Sequence, residues 1–166
     1  MNILELNPEE NFLRLRIEIP EDLYFLALLI DPGDELRGWT FRQQRVDRAM
    51  RSERGERIRV KLTITVKKVD FHKFSKRLRV LGVITDAPED LHVKGLHHTI
   101  SLSVGDEVEV RKKRLLKHHY RILDLASSRV STIPIISVGD DVVAGFLRPQ
   151  GVEIINIARL PRPGEE

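Results

Sequence analysis

The sequence predicts a mainly β fold with some α: a small, strongly bent antiparallel β barrel with one early helix and one late basic helix, followed by the first strands of a second domain. Three observations lead there. Apolar and polar residues alternate with period two, most cleanly at Ile58, Val60, Leu62, Ile64 and Val66 against Arg59, Lys61, Thr63, Thr65 and Lys67. The apolar phase flips at Lys67-Lys68, where Val69 and Phe71 take over, and a one-residue flip implies a bulge that bends the sheet. Turn residues recur often enough to keep the strands short, a pattern that a small curved barrel satisfies.

The elements follow in order. Residues 3–6 and 12–19 read as strands; in the second, Leu13, Leu15, Ile17 and Ile19 alternate with Arg14, Arg16 and Glu18. Pro20-Glu21-Asp22 opens a helix, because proline suits the first turn and acids suit the positive end of the helix dipole. Leu23, Leu26, Ala27 and Ile30 give it an apolar stripe, and Asp31-Pro32-Gly33-Asp34 stops it. Residues 35–42 form a strand containing the single tryptophan, Trp39, expected as a core anchor rather than a base-stacking surface. After the long strand, a turn at 73–76 leads to a returning strand at 77–85. Residues 87–90 form a loop, and strands follow at 98–104 and 107–110. A helix is expected over 111–127, with Leu115, Leu116, His119, Ile122, Leu123 and Ala126 on one face. Residues 133–138, 142–147 and 152–158 are three more strand signals. Three strands with no covering helix make a poor domain. The expected organisation is therefore one domain over 1–128 and the truncated beginning of another over 129–166.

Charge is unevenly placed. Residues 1–35 carry a net charge of −7, residues 36–121 one of +12, and residues 122–166 one of −2. A basic middle flanked by acidic ends points to a polyanionic partner. Its densest part is a flexible arm at 42–57, with Arg42, Arg45, Arg48, Arg51, Arg54 and Arg57 at every third position and Arg59 just beyond. A period of three fits neither helix nor strand, so these side chains share no regular face. Long loops within compact domains are uncommon unless functional or disordered. The late helix supplies a second cationic run, Arg111, Lys112, Lys113, Arg114, Lys117 and Arg121. Of these, Lys112, Lys113 and Lys117 are further candidates for phosphate contact.

Catalytic signatures are missing: neither GxxxxGK[ST], GxGxxG nor G-x-S-x-G occurs. The pairs His97-His98 and His118-His119 are adjacent residues, and neighbours on a strand or helix diverge, so neither pair alone chelates an ion. No metal site and no cofactor is expected. The absence of cysteine excludes a disulfide frame and a cysteine zinc site. No run of 18 uncharged apolar residues exists, and the start lacks a basic leader region. A cytoplasmic, monomeric protein is the expectation.

Five segments stand out in order and spacing: PEDLYFLALLIDPGD (20–34), RIRVKLTITVKKVDFH (57–72), RLRVLGVITDAPEDLHVKGLHHTISL (77–102), KRLLKHHYRIL (113–123) and PIISVGDDVVAGFLRPQGVEII in the second domain. Together they resemble the archaeal and eukaryotic Pelota family of ribosome rescue factors. The resemblance implies an Sm-like barrel at the front of a three-domain protein of which about half is missing here. It implies occupation of the empty A site of a stalled ribosome, in mRNA surveillance and decay. The implied partners are ribosomal RNA at the decoding centre and mRNA channel, a GTPase of the elongation factor 1-alpha type, and an ABC-type recycling ATPase. In the family, the loop corresponding to 42–57 enters the mRNA channel. Neither an NIKS-like tetrapeptide nor GGQ is present. A metal-dependent endoribonuclease activity has been attributed to some members. It would need a divalent cation, and the residues propose no centre to run it. A plain Sm-like ring-forming domain is the third alternative.

Overall fold

A computed structural model describes residues 1–43, 57–128 and 132–159. The chain divides into two compact units, Met1–Ser127 and Ser128–Glu166. In the first, β1 (Asn2–Asn7) and β2 (Phe12–Arg16) precede α1 (Pro20–Leu29). Then come β3 (Glu35–Gln43), β4 (Arg57–Asp70), β5 (Leu78–Asp86), a 3-10 turn at Glu89–Leu91, β6 (His97–Leu102), β7 (Glu107–Arg111) and α2 (Lys117–Ser127). The sheet order is β1-β2-β7-β3-β4-β5-β6, and every neighbouring pair is antiparallel.

The sheet curls because β4 is long and bulged. Its pairing with β5 slips between Val66 and Lys68, where the alternation changes phase in the sequence. At that point β5 approaches so closely that a Cβ on Gly82 would lie 2.3 Å from the Thr65 carbonyl oxygen. Only glycine fits there. The curl brings β6 back to β3, where Thr40 Oγ1 and His98 Nε2 lie 2.9 Å apart. The interior is filled by the inward parity of each strand: Leu13 and Leu15 on β2, Leu62 and Ile64 on β4, Leu78 and Val80 on β5, Ile100 on β6, and Val110 on β7. From α1, Leu23, Leu26 and Leu29 are also buried.

The start of α1 is fixed by Asp22, whose carboxylate accepts from the backbone N–H of Glu18 (2.8 Å) and Ile19 (3.1 Å). Its other oxygen accepts from the Met1 ammonium at 2.6 Å, and that ammonium also donates to the Ala126 carbonyl (2.8 Å), which ties the first residue to both helices.

Two expectations are corrected. The late helix starts at Lys117, not at 111. Arg111 is spent in the sheet, opposite Phe12 and Glu35. Asn11 then holds the next residues extended, its carbonyl accepting from Lys112 N–H (2.9 Å) and its side chain from Leu115 N–H (2.8 Å). Those N–H groups have better partners than a helix would give them. Trp39 is not a core anchor; it is 48 % exposed. On β3 the inward parity belongs to Leu36, Gly38 and Thr40, which leaves Arg37, Trp39 and Phe41 on the outer face.

The second unit contains β8 (Ile133–Val138), β9 (Asp141–Arg148) and β10 (Gly151–Arg159), ordered β10-β9-β8 and antiparallel. Ile136, Val138, Ile154, Ile155 and Ile157 are largely exposed.

Candidate nucleic-acid interface

The β3–β4 ladder sorts the predicted arginines by face. Gln43 pairs with Arg57, Phe41 with Arg59 and Trp39 with Lys61. Arg57, Arg59, Trp39 and Phe41 therefore stand together on the outer surface, at the end of the ladder where residues 44–56 join the strands. The Arg59 guanidinium lies over the Trp39 ring, 4.9 Å from its centroid. Lys61 is held by Glu109 at 2.6 Å. Arg42 has the opposite parity. Its Nη1 donates to His98 Nδ1 (3.2 Å), so His98 carries its proton on Nε2 and donates to Thr40. Burial and the Arg42 charge both hold the His98 ring below the usual histidine range, which keeps it neutral. Arg42 is thus braced on the inner side of the barrel mouth, away from Arg57 and Arg59. Arg45, Arg48, Arg51 and Arg54 lie outside the described residues.

A hollow of about 270 Å³ adjoins the aromatic group, lined by Arg14, Trp39, Arg59 and Lys61 together with Asp106, Glu107 and Glu109. Glu107 is already paired with Arg16.

The second cationic run is at the other end of β3, next to Glu35. Eight residue steps at about 3.3 Å separate the two ends by about 26 Å. Lys113 and Lys117 are exposed there. The Lys113 ammonium lies over Gly33, 2.7 Å from where a Cβ would be. Lys112 departs from the expectation of a phosphate contact. It is buried, and its ammonium donates to Asp34, to Asp31 Oδ2 (3.0 Å) and to the Leu29 carbonyl at the end of α1 (2.6 Å). The alternation of β7 continues one residue past the strand and turns this lysine inward, where two aspartates of the α1–β3 turn receive it.

The same network contains a triad of potential metal ligands, Asp31, His118 and His119, whose donor atoms all lie within 4.8 Å of one another. Its chemistry does not favour an ion. His119 Nδ1 accepts from the Leu116 N–H at 3.0 Å, so Nε2 carries the proton and donates to Asp31 Oδ2 at 3.1 Å. That oxygen also accepts from the Lys112 ammonium, whose charge would repel a cation. Burial, the Lys112 charge and His118 together hold the His119 ring below its usual range, against the pull of Asp31. Burial alone would raise the Asp31 carboxyl, yet bonds to Lys112 and His119 leave it below the ordinary aspartate value. The cluster is a structural brace joining α1, β7 and α2.

Sequence reasoning missed Trp39 and Phe41 as surface residues. The signal was available: both share parity with Glu35 and Arg37, opposite to Leu36.

The bent barrel with its two helices defines the first unit as an Sm-like domain, with a cationic and aromatic surface at the root of the β3–β4 connection. The chain belongs to the Pelota family, whose N-terminal domain matches residues 1–127. A pelota homologue of Thermofilum pendens is 47 % identical over 156 residues, covering 93 % of this chain and 44 % of that protein. A solved archaeal Pelota, ribosome-bound with ABCE1, is 36 % identical with a TM-score of 0.64, over 96 % of this chain and 46 % of that one. The Thermoplasma acidophilum Pelota structure shares the fold at a TM-score of 0.75 and 21 % identity, over 96 % of this chain and 44 % of that one. The chain spans about half the length of the relatives it matches. Among the described residues, no helix is long and apolar enough to cross a membrane.

Proposed function

We propose that this chain is the RNA-engaging front of a ribosome rescue factor acting in mRNA surveillance in the cytoplasm. Its barrel would enter the vacant A site of a stalled ribosome and direct residues 42–57 toward the decoding centre and mRNA channel. The observation that carries this reading is the outer cluster of Arg57 and Arg59 beside Trp39 and Phe41, at the root of an arginine-rich connection. Membership of the Pelota family supports it, as does the ribosome-bound state of the 36 %-identical archaeal relative with ABCE1. The whole protein's partners would then be the ribosome, an ABC-type recycling ATPase and a GTPase of the elongation factor 1-alpha type. The chain would act as a monomer, and binding would need no cofactor. A divalent cation would enter only with RNA cleavage, and no described cluster is suited to that chemistry.

Ribosome co-sedimentation tests the proposal, using the chain with residues 44–56 intact and replaced by a short glycine-serine linker. The intact chain should pellet with ribosomes and the variant should not. If about six phosphates are neutralised on single-stranded RNA, the log–log salt slope should be about −4 and flatten when Arg45, Arg48 and Arg51 become alanine. Equal pelleting of both chains, with an unchanged slope, refutes the role of the arm. Cleavage of RNA that starts with a divalent ion and stops with chelator would instead establish the nuclease reading.

A further inference from the structure

We infer that Trp39, Phe41 and Arg59 form a stacking platform for an unpaired RNA base, on the outer face of β3 and β4. The inference rests on the RNA-engaging role proposed above and assigns it a second component besides charge.

Large aromatic side chains normally enter the core of a barrel this small, because each buries 150–250 Å². Here two of them, at alternate positions of one strand, stay outside: Trp39 is 48 % exposed and Phe41 57 %. The register of β3 places them there: its inward parity is filled by Leu36, Gly38 and Thr40, so the chain presents two large rings to solvent at positions where small polar residues would suffice. The outer face of β3 and β4 holds no other exposed large apolar residue among the described residues. A protein-docking face would be expected to have a core depleted of charge. These rings are instead set among Arg37, Arg57, Arg59 and Lys61. Isolated π faces among cations are what single-stranded nucleic acid recognises: bases stack on aromatic rings or guanidinium planes while cations follow the phosphates.

The geometry also gives an order to the platform. The Arg59 guanidinium already lies over the Trp39 ring, 4.9 Å from its centroid, so the cation is held beside the ring before any ligand arrives. Phe41, directly opposite Arg59 in the ladder, has no ring or cation partner among the described residues.

Trp39 is the single tryptophan of the chain, so its emission reports directly on the proposed contact. The test titrates the full chain with a single-stranded oligoribonucleotide of mixed sequence, a duplex RNA of the same length, and polyphosphate. The single strand should quench Trp39 strongly, and the other two, at matched charge, only weakly. Phe41→Ala should lower single-strand affinity about 5- to 100-fold with the salt slope unchanged, because stacking releases no counterions. Arg59→Ala should lower both affinity and slope. Trp39→Phe should retain most of the binding that Trp39→Ala loses. All these side chains are exposed, and unchanged thermal melting confirms that each variant is folded. Equal quenching by duplex and polyphosphate, or full affinity in folded Phe41→Ala and Trp39→Ala, overturns the platform. If those variants bind normally while removal of residues 44–56 abolishes ribosome binding, the platform fails and the proposed function stands. If no RNA binds in any form, both fail.

Discussion

Replacing Lys112 by methionine tests whether a lysine in the middle of a basic run belongs to the surface or to the core. Its ammonium and the Asp34 carboxylate are 1 % and 4 % exposed. Methionine fills the space of the stem but leaves Asp34 charged and buried, with only the Asp31 N–H still donating to that oxygen at 2.8 Å. It also strands the Leu29 carbonyl in the last turn of α1. Breaking a buried pair from one side costs about 3–5 kcal/mol. The Asp31 contact adds little, since that carboxylate is 53 % exposed and well screened. The expected loss in Tm is on the order of 10 °C. Lys113→Met, one residue on and exposed, should change stability by less than about 0.5 kcal/mol. Adding Asp34→Asn to Lys112→Met should recover part of the loss, because it removes the stranded charge while keeping an acceptor. The assay is thermal and urea unfolding by far-UV circular dichroism on the full chain, with RNA affinity measured in parallel. If Lys112→Met melts like the parent and loses RNA affinity, the buried brace is wrong and the lysine is a phosphate contact after all.

Two further outcomes follow from the same structure. His119 is held neutral below the usual histidine range, so the unfolded chain binds more protons in the interval between the two values. The stabilisation is complete above about pH 6.5, the ordinary histidine value, and is lost as pH falls from there toward the folded value. His98 contributes with the same sign, while Asp31, with its lowered carboxyl, adds a separate loss only at more acid pH. Glutamine at position 119 can still reach the Leu116 N–H but does not titrate, so His119→Gln should flatten the dependence of Tm on pH just below about pH 6.5, the ordinary histidine value. An unaltered slope would remove His119 from the account. Gly82→Ala places a Cβ against the Thr65 carbonyl at the bulge, and should cost at least about 2 kcal/mol in urea unfolding. A near-neutral result would mean that β4 and β5 separate easily and that the bulge does not fix the curl.

Much of the barrel was legible along the chain. Alternation placed the strands, and the phase change at Lys67-Lys68 marked the bulge that the β4–β5 ladder contains. Pro20 and the acids after it marked the start of α1. These features are local: a period, a phase and a cap are each set by a handful of adjacent residues. The residues that failed were those whose fate depends on a distant partner. Lys112 looked like its neighbours Lys113 and Arg114 until the α1–β3 turn brought two aspartates to it. Arg111 looked helical until β2 and β3 took it into the sheet. Trp39 was assigned by size, although its parity with Arg37 already placed it outside.

The sequence by itself determined the strand count, the bend and the concentration of positive charge, because periodicity and composition act within a few residues of each position. Only the tertiary structure decided which cations face solvent, since burial of a charge depends on whether a remote carboxylate arrives to neutralise it. It also decided that Arg42 and Arg57, both in one basic run, stand on opposite faces of a two-stranded ladder, because antiparallel pairing assigns each side chain to a face through the register with its partner strand.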